Sequence, residues 1–161
     1  MPVMALFSDT STKANILIDQ NGHARIADFG FTTIALDSAN PMASSSGTNA
    51  GTVRWMSPEL LCSELSDSKE ARPTKASDCY ALGMVILEVF SGEIPFARHS
   101  HFIVLYKVGK GEPPERPAGT WTTDNLWTTL KRCWSLHPKD RPTAEVILET
   151  LGQEKWEEEK V

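Results

Sequence analysis

The stretch Ala24-Arg25-Ile26-Ala27-Asp28-Phe29-Gly30-Phe31-Thr32-Thr33, followed by Gly51-Thr52-Val53-Arg54-Trp55-Met56-Ser57-Pro58-Glu59, decides how the rest of the chain reads. Just before Asp28, the short apolar runs Asn15-Ile16-Leu17-Ile18-Asp19 and Ala24-Arg25-Ile26-Ala27 are separated by Gln20-Asn21-Gly22-His23, and Asn-Gly is a strong tight-turn signal. A β-hairpin is predicted there. Between the two halves of the stretch, Asp37 to Thr52 is rich in Ser, Thr, Ala, Asn and Gly without periodicity, which predicts a loop.

Beyond Thr74 the pattern becomes helical. Lys75 to Ser91 is bounded by Gly92 and Pro95, the stop signals of a helix end. Its Tyr80, Ala81, Leu82, Met84, Val85, Ile86, Leu87, Val89 and Phe90 point all the way round, which predicts a helix buried in the middle of a core. His101 to Lys110 is a shorter helix ended by Gly111 and Pro113-Pro114. Asp124 to Trp134 carries Leu126, Trp127, Leu130, Cys133 and Trp134 at helical spacing, and Ala144 to Leu151 forms a last helix after Pro142-Thr143. The predicted fold class is mainly α, with one small hairpin near the N-terminus and no internal repeat.

Composition narrows the functions. With 161 residues and 40% hydrophobic content, one globular domain is expected. The 16 Lys and Arg against 21 Asp and Glu leave a formal charge of −5 and no basic stripe for a phosphate backbone, so nucleic acid is not expected as a partner. Cys62, Cys79 and Cys133 are odd in number and have neither disulfide-framework nor zinc spacing, which suits a reducing compartment. His99 and His101 could share a strand face but have no third ligand nearby. The opening residues lack a signal-peptide pattern, and the run Ala81 to Val89 is too short to span a bilayer. A soluble protein is expected, cytoplasmic or else nuclear, with no membrane partner. Glu154 to Lys160 reads as a solvated extension of the last helix.

The order of hairpin, Asp28-Phe29-Gly30, polar loop, Ser57-Pro58-Glu59, central helix and three further helices resembles the C-terminal lobe of the protein kinase fold, with the N-terminal lobe absent. Residues 1–12 then form an atypical N-terminal segment, 13–152 the lobe with its activation segment at 28–59, and 153–161 an acidic tail. The resemblance implies that Asn15, in Lys13-Ala14-Asn15-Ile16-Leu17-Ile18, and Asp28 hold two Mg²⁺ ions, and that Asp28 and Gly30 belong to an ATP site. It implies that Asp78, in Ser77-Asp78-Cys79-Tyr80-Ala81-Leu82-Gly83, ties the central helix to the catalytic-loop backbone. It also implies that Arg141, in Cys133-Trp134-Ser135-Leu136-His137-Pro138-Lys139-Asp140-Arg141-Pro142, pairs with Glu59. The Gly-Thr-Val-Arg-Trp-Met-Ser-Pro-Glu form is nearest to the tyrosine-kinase-like group, most of which modify Ser or Thr.

Residue by residue, plainer readings stand beside these. Asp28 is also a turn aspartate before Gly30, and Asn15 a strand-edge cap. Glu59, Asp78 and Arg141 are structural on either reading. Ser44, Ser45, Ser46, Thr48 and Thr52 are candidate phosphorylation sites or simply a polar loop. Trp55, Trp127 and Trp134 are expected to be core and wall aromatics.

The chain also departs from the family. Counting back from Asn15, the family's His-Arg-Asp-Leu-Lys falls on Ser8-Asp9-Thr10-Ser11-Thr12, which places Thr10 where the family has its general base. A threonine hydroxyl cannot accept a proton near neutral pH, and a missing base costs about 10²- to 10⁴-fold. No glycine-rich phosphate loop or strand lysine precedes the motif. The resemblance therefore implies ATP, Mg²⁺ and a protein substrate or partner, while the chain by itself is expected to be inactive. The family reaction is transfer of the γ-phosphoryl group of ATP to a protein hydroxyl, with Ser or Thr expected here ahead of Tyr. The alternatives are a non-catalytic, pseudokinase-like binding module and a by-product without a role. With the family's preceding helix missing, one face of the 75–91 helix is expected to be uncovered.

Overall fold

The computed structural model describes residues 16–27, 52–61, 73–118 and 123–154. Strands β1 (Ile16–Ile18) and β2 (Ala24–Ile26) pair antiparallel, with Ile16 opposite Ile26 and Ile18 opposite Ala24. Their connection is wider than a two-residue Asn-Gly turn. Asp19 organises it, its carboxylate accepting from the backbone N–H groups of Asn21 (2.9 Å) and His23 (3.0 Å) and from Arg25 Nε (3.0 Å). Gly22 takes the left-handed position at φ 82°, where a Cβ would be strained. The His23 backbone bond, ahead of the others, holds the Asp19 carboxyl below its ordinary range.

A 3₁₀ turn at Thr52–Trp55 and a one-turn helix α1 (Pro58–Leu61) come next, neither of which shows in the periodicity because each is too short to carry it. The other helices are α2 (Lys75–Ser91), α3 (His101–Gly109), α4 (Asp124–Cys133) and α5 (Ala144–Gln153), with a second 3₁₀ turn at Pro138–Asp140. Local chemistry sets their ends. Thr74 and Ser77 form a reciprocal capping box at the start of α2, while Gly92, at φ 73°, closes it by donating its N–H to Glu88 O. Thr123 Oγ1 caps α4 by accepting from Leu126 N at 3.1 Å.

Three expectations need correction. His101 opens α3 and His99 lies in the connection before it, so the two share no strand face. Glu154 is extended and ends α5 at Gln153, so the helix does not run on into the acidic segment, whose remainder lies outside the described residues. Helix α2 is not buried all round. Tyr80, Met84, Val85, Ile86 and Leu87 are buried, but Leu82 is 37% and Val89 49% exposed. Leu82 faces a groove of about 830 Å³ between α2 and the hairpin, walled by Ile16, Ile26, Cys79, Val85 and Pro142. Among the described residues nothing fills this groove; apolar periodicity alone predicted burial all round, whereas the family's helix order predicted one uncovered face.

The core sits where α2 packs on α4, on the Thr52–Trp55 turn and on the Pro138–Asp140 turn, while α4 packs on α5 and α3 on the 52–55 turn. Met84, Leu126, Leu130, Cys133 and Ile147 are shut off from solvent, and the Trp127 and Trp134 rings meet edge-on at 5.5 Å. Burial pushes the Cys133 thiol up to about 12, so it is a neutral packing group. Close approach of α2 to α4 needs Gly83: a Cβ there would lie 2.8 Å from Cys133 Cβ and 2.9 Å from Trp134 Nε1. Gly83→Ala should therefore destabilise by about 1–3 kcal/mol through overpacking, despite alanine's better helix propensity. A denaturant titration checks this. A neutral or stabilising result would mean that α4 yields at no cost.

Candidate functional site

Of the residues singled out for chemistry, Thr10, Asn15, Asp28, Gly30, Ser44, Ser45, Ser46 and Thr48 lie outside the described residues. For Thr52 the backbone is described, as the first residue of the 3₁₀ turn. Ile16 and Ile26 are the paired residues at the open end of the hairpin. A carboxylate and an amide carbonyl are hard oxygen donors of the kind Mg²⁺ takes.

Residues 52–61 are described, and they are fixed from two sides. Arg54, buried, spends its guanidinium on three backbone carbonyls of the segment before α3: Nη1 donates to Pro95 O (2.9 Å) and Phe96 O (2.6 Å), and Nη2 to His99 O (2.8 Å). Phe96 is held at φ 55°, a left-handed backbone that costs a non-glycine residue about 1–3 kcal/mol, and the bond from Arg54 to its carbonyl helps to hold it there. On the other side, Trp55 Nε1 donates to Glu88 Oε2 at 3.0 Å. Glu88 is wholly buried near the C-terminal end of α2, so this acid in an apolar run is a structural acceptor. The sequence reading took it only as an interruption of the apolar run Ala81 to Val89, where a carboxylate among apolar residues was the available signal.

Glu59 and Arg141 meet in a two-pronged ion pair. Arg141 Nη1 donates to Glu59 Oε1 and Nη2 to Oε2, both at 2.7 Å, while the same guanidinium reaches Ala76 O (3.0 Å), and its Nε reaches Ser135 O (2.9 Å). One side chain thus joins α1, the start of α2 and the loop after α4. Both partners are buried, and Arg141 also sits over the Tyr80 ring at 5.1 Å. Burial, the largest single influence, pushes the Glu59 carboxyl up, but the bonds and charge of Arg141, the Glu59 backbone N–H and the Ser57 hydroxyl together leave the group below its ordinary value. Burial raises the Tyr80 hydroxyl, which stays neutral.

Asp78 stands exposed on α2, at the edge of the groove beside the hairpin. The backbone it was expected to hold lies outside the described residues. Among the described residues no cluster of His, Cys, Asp and Glu could hold a metal, and no helix is long and apolar enough to cross a membrane.

Comparison with known proteins places this arrangement. Residues 9–151 match the family of protein tyrosine and serine/threonine kinases. The chain is 34% identical to mitogen-activated protein kinase kinase kinase 1 of Arabidopsis thaliana, over 84% of its own length and 20% of that protein's. It is 32% identical to the serine/threonine-protein kinase STE11 of Saccharomyces cerevisiae, over 84% of this chain and 18% of that one. A probable serine/threonine-protein kinase of Dictyostelium discoideum is also 32% identical, over 85% of this chain and 14% of the relative. The chain thus spans at most about a fifth of these relatives' length. The hairpin, the anchored turn at 52–61 and the helices around α2 are the C-terminal portion of a protein kinase domain, and the chain belongs to the protein kinase family.

Proposed function

We propose that the protein carrying this sequence transfers the γ-phosphoryl group of ATP to Ser or Thr hydroxyls of a protein substrate. The observation that supports this best is the anchoring of residues 52–61. Arg54, Trp55 and Glu59 each bond to a different part of the fold, which gives the end of the 28–59 segment the fixed surface that docking a polypeptide requires. The relatives' names add the Ser/Thr preference. ATP with Mg²⁺ supplies the reactive phosphoryl group when bound. In this chain Asp28 and Asn15 would hold the ions, a carboxylate and an amide oxygen of the hard kind that Mg²⁺ takes. Thr10, at the family's base position, leaves the substrate hydroxyl without a proton acceptor from that residue.

The 161 residues purified by themselves should show no phosphoryl transfer, because this reaction depends on positioning and the sequence contains no glycine-rich phosphate loop. The test is radiolabel transfer from ATP to a generic protein substrate, run with the 161-residue chain and with the complete gene product. We expect no transfer by the former. With the latter, Asp28→Ala should lower transfer by about 10²-fold or more, since it removes charge stabilisation at the transferring group. Transfer by the 161-residue chain that Asp28→Ala abolishes would show the chain competent alone. A complete protein that is inactive, yet binds a partner saturably without nucleotide, would favour the pseudokinase-like module. Thr10 is the residue that favours that second reading.

A further inference from the structure

Three ties fasten residues 52–61, and each runs to a different place: Trp55 to Glu88 on α2, Glu59 to Arg141 after α4, and Arg54 to the backbone of residues 95–99 before α3. The third differs in kind. Trp55 and Arg141 both donate to a carboxylate, whereas the buried Arg54 meets only carbonyls among the described residues. A backbone turn aims those carbonyls at it. Phe96, at φ 55°, is the one non-glycine residue in the left-handed region among the described residues, a conformation that a bulky side chain keeps only where contacts outweigh its cost. The Phe96 carbonyl oxygen accepts from Arg54 Nη1 at 2.6 Å and from His99 N at 2.9 Å, while Nη1 also donates to Pro95 O, so two successive carbonyls converge on one nitrogen.

Helix α3 begins directly after this turn and is weakly fastened at its start. Its N-cap residue, Ser100, makes no side-chain capping bond, and Arg54 Nη2 instead holds the His99 carbonyl, one residue before the cap. The helix packs on the 52–55 turn and on α1. We propose that Arg54 is a latch by which the end of the 28–59 segment holds α3: withdrawing the guanidinium lets Phe96 return to negative φ and frees residues 95–109, while α1 and α2 stay fixed through Glu59–Arg141 and Trp55–Glu88. This latch follows from the geometry alone and does not depend on the reaction proposed above.

Two features make this tie the one that opens. Strain held in the Phe96 backbone is returned when the turn relaxes, so the closed state is opposed from within. The groups that part also differ. Carbonyls freed from Arg54 are neutral and find water as the turn lifts, whereas parting Glu59 from Arg141 strands a buried carboxylate. A displacement at residues 52–55 therefore reaches α3 through one side chain, without unfolding of the core around α2.

The experiment is amide hydrogen exchange of the purified protein, read segment by segment by mass spectrometry. Arg54→Lys keeps the charge but loses the planar fork that reaches three carbonyls at once. It should speed exchange across residues 97–109 about tenfold or more and leave α2 and α4 unchanged. The same substitution made on a Phe96→Gly background, where left-handed backbone carries no penalty, should speed exchange there less than about threefold. Equal acceleration in both backgrounds would overturn the latch, because the strain at Phe96 would then play no part. Uniform acceleration through α2 and α4 would overturn it too, as a general loss of stability. The unsubstituted protein supplies a test that needs no variant: in rising denaturant, residues 97–109 should open together before α2 and α4 do. Opening of 97–109 only with the whole core would also sink the proposal.

Discussion

Replacing Arg141 by alanine is expected to destabilise the protein by about 3–5 kcal/mol, because it leaves the buried Glu59 carboxylate without its partner. For a domain of this size that corresponds to a fall in Tm of roughly 6–20 °C. The loss exceeds that of an ordinary ion pair because the same guanidinium also satisfies Ala76 O and Ser135 O, so three segments lose their tie together. A double-mutant cycle makes the test sharp. Glu59→Leu with Arg141→Met, of similar volume and uncharged, should cost clearly less than Arg141→Ala, since no charge is then stranded. If the double variant were as unstable as the single one, packing and not charge would be what the pair contributes.

The same pair sets an acid limit. The folded-state pKa of Glu59 lies below its ordinary value of 4.5, so its stabilisation is fully present above that pH and is lost as the pH falls through the folded value. Stability measured from pH 6 to pH 3 should decline less in Glu59→Gln than in the parent, from a lower starting point.

Trp55→Ala is expected to cost about 3–5 kcal/mol, the range for deleting a large buried aromatic, since only 4% of the residue is exposed. Trp55→Phe separates the two contributions. It keeps most of the ring but removes the Nε1 donor, and should cost about 1–3 kcal/mol for the weakened solvation of a carboxylate buried in α2. Chemical denaturation measures both. Glu88→Gln, which keeps an acceptor for the indole, should be milder than Glu88→Ala. Equal costs for those two would mean that Trp55 contributes by volume only.

These residues also mark where reading the sequence stopped. The α2 boundaries were legible because Thr74, Ser77 and Gly92 are local signals, acting through hydrogen bonds within a few residues of one another. The hairpin was legible for the same reason, although Asp19 rather than Asn21-Gly22 alone shapes its turn. Membership of the kinase family was carried by short motifs in a fixed order, which residues 9–151 share with the family as a whole.

What neighbours decide could not be read in this way. Apolar periodicity marks which residues can be buried. It does not say which face finds a neighbour, so Leu82 read like a core residue and stands partly exposed. Glu88 looked like an interruption until α2 met Trp55, more than thirty residues away in sequence. Arg54 had no role in the sequence reading; the backbone of residues 95–99 gives it one by turning three carbonyls towards it. By itself the sequence determined the hairpin, the four longer helices, their order and the family, because those depend on signals close along the chain. The tertiary structure alone decided which charges are buried and which apolar side chains remain at the surface, because burial depends on what segments distant in sequence bring together.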